Sequence, residues 1–195
     1  DIMDYAERKD ADFINQIPRF VMLAENRLAV EAKGLGNVRI VASQFSAEAS
    51  IVQKPNRWRQ TRSWSLTDTQ GSVHYLSPRK YEYCKLYASG MAPGVPEYYA
   101  DMDYNHFFVA VSPASAFDFE LSYHEKPEPL SEANQSSWTT RYAPQLLLYA
   151  SLLEAQPFLK NAGMLSLWQS QYAEALASLQ KEESNFNHDS TEAGK

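Results

Sequence analysis

Two stretches of helical periodicity near the C-terminus constrain this chain most. Pro144 stands where a first helical turn tolerates a missing N–H, and Leu146, Ala150 and Leu153 then recur at steps of four and three. After Gly163 the spacing resumes in Leu165, Trp168, Tyr172, Ala175 and Leu179. Two apolar stripes joined by a short connector at 160–163 predict an antiparallel helical hairpin over 143–183. Each helix covers one face of the other, and the rest of the chain has to cover what remains.

The chain has the material for that. Its 195 residues fit one ordinary domain, and 44% hydrophobic with 13% aromatic content supports a sizeable core. Lys and Arg total 18 against 24 Asp and Glu, a net charge of -6, which argues against a general nucleic-acid binder. Cys84 is the single cysteine, so an intramolecular disulfide and a multi-thiol zinc site are both excluded. A cytoplasmic origin is the simplest expectation. No apolar run reaches the roughly 18 to 20 residues that span a bilayer, and the first residues lack a basic-then-apolar signal, so the chain reads as soluble.

Upstream, Asp10 or Asp12 can cap a helix whose stripe is Phe13, Ile14, Ile17, Val21, Ala24 and Leu28, with Arg27 and Glu31 as an i,i+4 pair. Pro18 within the stripe predicts a kink or two consecutive helices, and Gly34 and Gly36 predict the end. From Asn37 to His124 β-branched and aromatic residues come in short runs punctuated by Pro, Gly, Asn and Asp, which predicts several short antiparallel strands. Phe117, Phe119, Leu121 and Tyr123 alternate with polar residues in the clearest of these. The apolar run 107–111 is expected to turn into it through 112–116. Runs 58–66 and 72–76 predict a second hairpin.

Few motifs carry chemistry. Asp101, Asp103 and Asn105 open like a calcium loop, but His106 replaces the turn glycine and Ser112 the bidentate glutamate, so an EF-hand is rejected. Asp101, Asp103 and His106 read better as a polar hairpin tip than as a metal site. His74, His106, His124 and His188 form no ligand pair of the H-E-x-x-H kind, and no catalytic residue, metal ligand or cofactor is expected. Cys84 reads as a small buried hydrophobe. Asn134-Gln135-Ser136 is a glycosylation sequon without any sign of secretion. The one basic and aromatic cluster is Arg57, Trp58, Arg59, Arg62 and Trp64. Strand alternation puts Arg57 and Arg59 on one face and Trp58, Arg62 and Trp64 on the other. Two readings stand side by side: contacts to a DNA backbone or an acidic partner, or a cross-strand aromatic cluster with solvated or paired arginines.

Particular words of the sequence then carry a resemblance. Asp12-Phe13-Ile14, Ile17-Pro18-Arg19-Phe20 and Ala24-Glu25-Asn26-Arg27-Leu28 resemble the opening helix of the head-to-tail adaptor (connector) proteins of tailed bacteriophages. Gly94-Val95-Pro96-Glu97-Tyr98-Tyr99, the 117–123 strand followed by Pro127 and Pro129-Leu130-Ser131, and Ala143-Pro144-Gln145-Leu146-Leu147-Leu148-Tyr149-Ala150 resemble that family in the same order. Trp168, Tyr172 and Ala175-Leu176 complete the pattern. Pro157 departs from it, falling where the family helix runs on, and 57–64 is more basic and aromatic than the family pattern.

The resemblance implies a non-enzymatic virion protein made in the host bacterial cytoplasm and placed in the neck. There it would form a homo-oligomeric ring, commonly of twelve copies, between the portal protein and a tail or nozzle protein. Genomic DNA would pass through the lumen without sequence-specific binding. A tail-completion or second connector protein, or a nucleic-acid-binding module using Arg57 to Trp64, are the alternatives. The expected fold is α+β, mainly helical: an N-terminal helix over 10–34, a C-terminal antiparallel helical pair over 143–183, and an inserted region of short antiparallel β-strands over 37–124. These make a single adaptor domain over 1–183. A flexible C-terminal tail follows over 184–195, with Ser184, Asn185, Phe186, Asn187 and Lys195 as candidate portal-docking residues.

Overall fold

A computed structural model describes residues 1–32, 35–159 and 163–192. The chain divides into two compact units: a helical one built from Asp1–Asn37 with Lys126–Lys195, and a β unit, Val38–Glu125.

In the helical unit, α1 (Ile2–Tyr5) precedes the long α2 (Ala11–Glu31). Asp10 caps α2: its side chain accepts from the Phe13 N–H at 3.0 Å while the Arg8 guanidinium grips both carboxylate oxygens. Pro18 lies inside one helix, Ala11–Glu31, which removes the two-helix alternative of the pair expected there. Arg27 does not pair with Glu31. It reaches Glu154 instead, and Glu31 accepts from the Tyr172 hydroxyl. Next come α4 (Trp138–Tyr142), opened by a reciprocal Ser137–Thr140 capping box, then α5 (Pro144–Leu159) and α6 (Leu165–Glu192). A side chain at Gly36 would collide with the Trp138 indole, so the backbone passes close to that ring.

The expected C-terminal antiparallel pair needs correction. Leu146, Leu147, Ala150, Ser151, Leu152 and Ala155 of α5 are all buried, too broad an arc for one partner to cover. The core accordingly joins Ala24 and Leu28 of α2 to Leu146, Leu147 and Ala150 of α5 and Tyr172 of α6. Helix α5 is the middle of a three-helix packing, and α2 is as much its partner as α6.

The β unit also corrects the expectation of a mainly helical chain, because it holds two four-stranded sheets. The first, ordered β1-β8-β3-β4, contains β1 (Val38–Gln44), β3 (Trp58–Thr67), β4 (Val73–Tyr75) and β8 (Asp118–Glu125), all antiparallel. The second, ordered β2-β7-β6-β5, contains β2 (Ile51–Gln53), β5 (Ser77–Pro78), β6 (Tyr98–Asp101) and β7 (His106–Ala110), with β5 parallel to β6. Trp64, Leu66, Phe119, Leu121 and Tyr123 from the first sheet meet Tyr99, Phe107 and Val109 from the second in one core.

Two further features depart from the sequence reading. Strand β7 does not form a hairpin with β8: the two lie in different sheets, and the segment between them pairs Pro113 with Gly94 on the way across. Residues read as part of a strand region form α3 (Tyr81–Ala88), whose Cys84 packs with Ala100, Phe108 and Ala110 on the outer face of the second sheet. Among the described residues, no helix is long and apolar enough to cross a membrane.

Candidate functional site

The basic and aromatic cluster sits on β3, and its geometry turns on two irregularities in pairing. The register against β8 shifts between Trp58 and Gln60 and again between Thr61 and Ser63. Each shift adds a residue and resets the alternation, so the inward positions become Trp58, Thr61, Trp64 and Leu66. Arg62 is therefore exposed on the opposite side from the tryptophans, contrary to strict alternation.

Trp64 is only 1% exposed, with ring centroids of Phe107, Tyr99, Phe119 and Phe45 at 4.8 to 5.6 Å. Trp58 is half-buried, edge-on to Phe107, and its indole N–H donates to Thr61 Oγ1 at 3.1 Å. Neither indole is arranged as an open platform for a stacked base.

The arginines separate as well. Arg57, held at a positive φ of 59°, sends Nε and Nη2 to Glu125 Oε1 at 3.1 and 2.9 Å, and Arg39 Nε reaches the other oxygen at 3.0 Å. Glu125 is thus bridged by two cations, an arrangement invisible without the β1–β8–β3 pairing. Arg59 and Arg62 are exposed and have no ion-pair partner among the described residues.

Asp101, Asp103 and His106 fall at the turn between β6 and β7. Asp103 Oδ1 accepts from the backbone N–H of Asn105 at 2.6 Å and of His106 at 2.8 Å, and the His106 ring lies 3.0 Å from its other oxygen. These contacts, the ring's first, hold the Asp103 carboxyl below its ordinary value. Asp101 is engaged elsewhere: Lys54 Nζ lies 2.6 Å from it and donates to the Asp103 carbonyl at 2.9 Å. That ammonium also sits 3.8 Å from the centre of the Trp58 ring and 4.8 Å from Phe107, with its side chain 4% exposed. Lys54 is the residue that joins the tip to the aromatic core, and nothing in its sequence neighbourhood marks it. The adjoining cleft, about 300 Å³, is lined by Trp58, Arg59, Thr61, Tyr99 and Asp101, and not by Asp103 or His106. Among the described residues no group of three His, Cys, Asp or Glu is placed to hold a metal ion.

In the helical unit, the backbone of Ser184, Asn185, Phe186 and Asn187 lies within α6, while Lys195 lies outside the described residues. A second residue missed from sequence is Glu25, 3% exposed, whose Oε2 accepts from the Leu130 N–H at 3.3 Å while Oε1 has no hydrogen-bond partner among the described residues. Burial raises its pKa above the ordinary value of 4.5, against the opposing pull of Leu130 and Ser137. A folded-state value above the unfolded one means that the folded chain binds more protons, so stability falls as pH rises from the unfolded value through the folded one. Glu25→Gln is expected to flatten that slope: urea denaturation between pH 4.5 and 8 should show the wild type losing stability relative to the variant as pH rises. A parallel pair of curves would contradict it.

The search of curated proteins found no match to the chain. A protein-family model described as SU10 adaptor protein matches residues 1–192, across the helical segments and the β unit alike. That family is one of phage head-to-tail adaptors. With the match running through both units, the chain belongs to the SU10 adaptor protein family and is an adaptor-type structural protein of bacteriophage.

Proposed function

We propose that copies of this chain form a ring in the virion neck that joins the portal of the phage head to a tail or nozzle protein, with genomic DNA passing through its lumen. The observation that carries this reading is the family match over residues 1–192. The charge balance supports it: a subunit with 24 acidic against 18 basic residues, repeated around a channel, repels phosphate and lets DNA slide. The work is done by protein interfaces and not by catalysis. Twelve copies is the proposed number, and the segment from Ser184 to Lys195 the proposed portal contact.

The test is the mass of the purified chain alone and after mixing with a portal ring, alongside cryo-electron microscopy of intact particles. Ring density for this chain against the portal is the expected result. Density one tier lower, against the tail, would make it a second connector, and absence from the neck would remove the reading. Unaltered portal attachment after deleting 184–195 would remove the tail contact alone.

The exposure of Arg59 and Arg62, without ion-pair partners among the described residues, favours a second reading, contact with DNA backbone. Steeply salt-dependent retention of DNA by the isolated chain, lost in the Arg59→Ala/Arg62→Ala double variant, would establish it.

A further inference from the structure

The two sheets of the β unit have four edges, and they are not alike. Strand β2 has three residues, β4 three, and β5 two, the second of them Pro78, which has no N–H to offer. Short strands and proline are the usual means of blunting an edge. The fourth edge, β1, has seven residues, Val38–Gln44, paired with β8 in unbroken register and containing neither proline nor lysine. Its one charged side chain, Arg39, is drawn to Glu125. The outer side of β1 is thus a long, regular strand edge with no strand partner within the described chain.

The other edge of the same sheet is β4, and it matches β1 in direction and chemistry. All three pairings in the order β1-β8-β3-β4 are antiparallel, so β4 runs opposite to β1. A copy placed beside this one so as to prolong the sheet would set its β1 antiparallel to β4. The registers also define faces. Ile40 pairs with Ser122 and Ala42 with Glu120 on β8, while Tyr75 and Val73 pair with Ser65 and Thr67 of β3, which face Glu120 and Asp118. Ile40, Ala42, Val73 and Tyr75 therefore share the face opposite the core. Ile40 is 63% exposed, Val73 60% and Tyr75 71%, three large apolar side chains at the two edges of one sheet. Edge-to-edge pairing would make them cross-strand neighbours, the arrangement that stabilises a sheet.

We infer that β1 of one copy adds as an antiparallel strand to β4 of the next, so that the first sheet continues from subunit to subunit. The contact joins two different patches, the heterologous kind that closes into a ring, and so the inference rests on the ring reading above. The three residues of β4 offer only a short run of main-chain hydrogen bonds to β1, which set the register, and covering Ile40, Val73 and Tyr75 supplies most of the affinity.

The experiment uses the full chain with portal rings. Ile40→Lys, at an exposed position, should leave the circular dichroism spectrum of the free chain unchanged and abolish ring assembly. Oxidising the double variants Ile40→Cys/Tyr75→Cys and Ala42→Cys/Tyr75→Cys, which cover two registers on the same face, should give a ladder of dimer, trimer and higher species from at least one of them. Each single variant should give none. Dimers from Ile40→Cys alone would indicate β1 meeting β1 and overturn the inference. Wild-type rings that persist in Ile40→Lys, with no ladder from either double variant, would overturn it while leaving the ring reading intact. A wild-type chain that never associates, alone or with portal, would remove both.

Discussion

Trp64→Ala is expected to cost the β unit about 3–5 kcal/mol, the range for deleting a large buried aromatic. The indole is 1% exposed and is packed by Phe45 and Phe119 from one side of the core and Tyr99 and Phe107 from the other, so its removal leaves a void lined from both sheets. The surrounding rings are themselves locked by one another, Phe45 against Phe119 at 4.6 Å and Trp58 against Phe107 at 5.3 Å, which limits collapse into the gap. Trp64→Phe should cost far less. Its Nε1 is buried without an acceptor among the described residues, so phenylalanine gives up packing area but also removes an unsatisfied donor. Urea denaturation followed by near-ultraviolet circular dichroism reads both. Equal losses for the two variants would mean that the ring volume phenylalanine retains contributes nothing, and would contradict the cavity argument.

The second large effect belongs to the helical unit. Leu146→Ala should destabilise it by about 2–5 kcal/mol. Leu146 is 1% exposed and lies where α2, α5 and α6 meet, among Ala24, Leu28, Leu147, Ala150 and Tyr172. The small partners Ala24 and Ala150 are what let the helices approach, and they cannot move to refill the space. Leu148→Ala, one helical step from the most buried face and only half-buried, serves as the comparison and should cost markedly less. Amide hydrogen exchange checks where the loss falls: protection should drop across α2 and α5, and a drop confined to the end of α5 would contradict the three-helix packing.

What was legible in the chain follows from the range of the forces involved. Strand β8 was plain because Phe119, Leu121 and Tyr123 alternate with exposed Asp118 and Glu120, a local pattern set by one buried face. The cap at Asp10 is local in the same sense, and so are Phe13, Ala24 and Leu28 of the α2 stripe, although Ile14 is exposed and Phe20 takes a buried place that the stripe did not include. The side of the sheet on which Arg62 lies was not legible, because two register shifts against β8 decide it, and register belongs to a pair of strands. Helix α3 was hidden by composition. Tyr81, Tyr83 and Tyr87 favour strands, while the helical spacing of Tyr81, Cys84 and Ala88 is only two turns long. Partner choice was equally beyond reach, as Lys54 reaching Asp101 and Tyr172 reaching Glu31 show. The breadth of apolar residues on α5 was visible, and read more fully it calls for two covering helices.

One consequence of the pairing between β1 and β8 concerns the helical unit. Val38 sits opposite His124, so the chain leaves for the β unit and returns from it on adjacent strands, whose backbones lie about 4.8 Å apart. For the folding of α2 against α5, the whole of Val38–Glu125 then behaves as a tight closed loop whose ends are already pinned. The entropy of bringing distant stretches of chain together is borne by the β unit as it forms its own sheets. Once that has happened, the helices on either side of it are near neighbours along the effective contour, and a contact formally more than a hundred residues long becomes a local one.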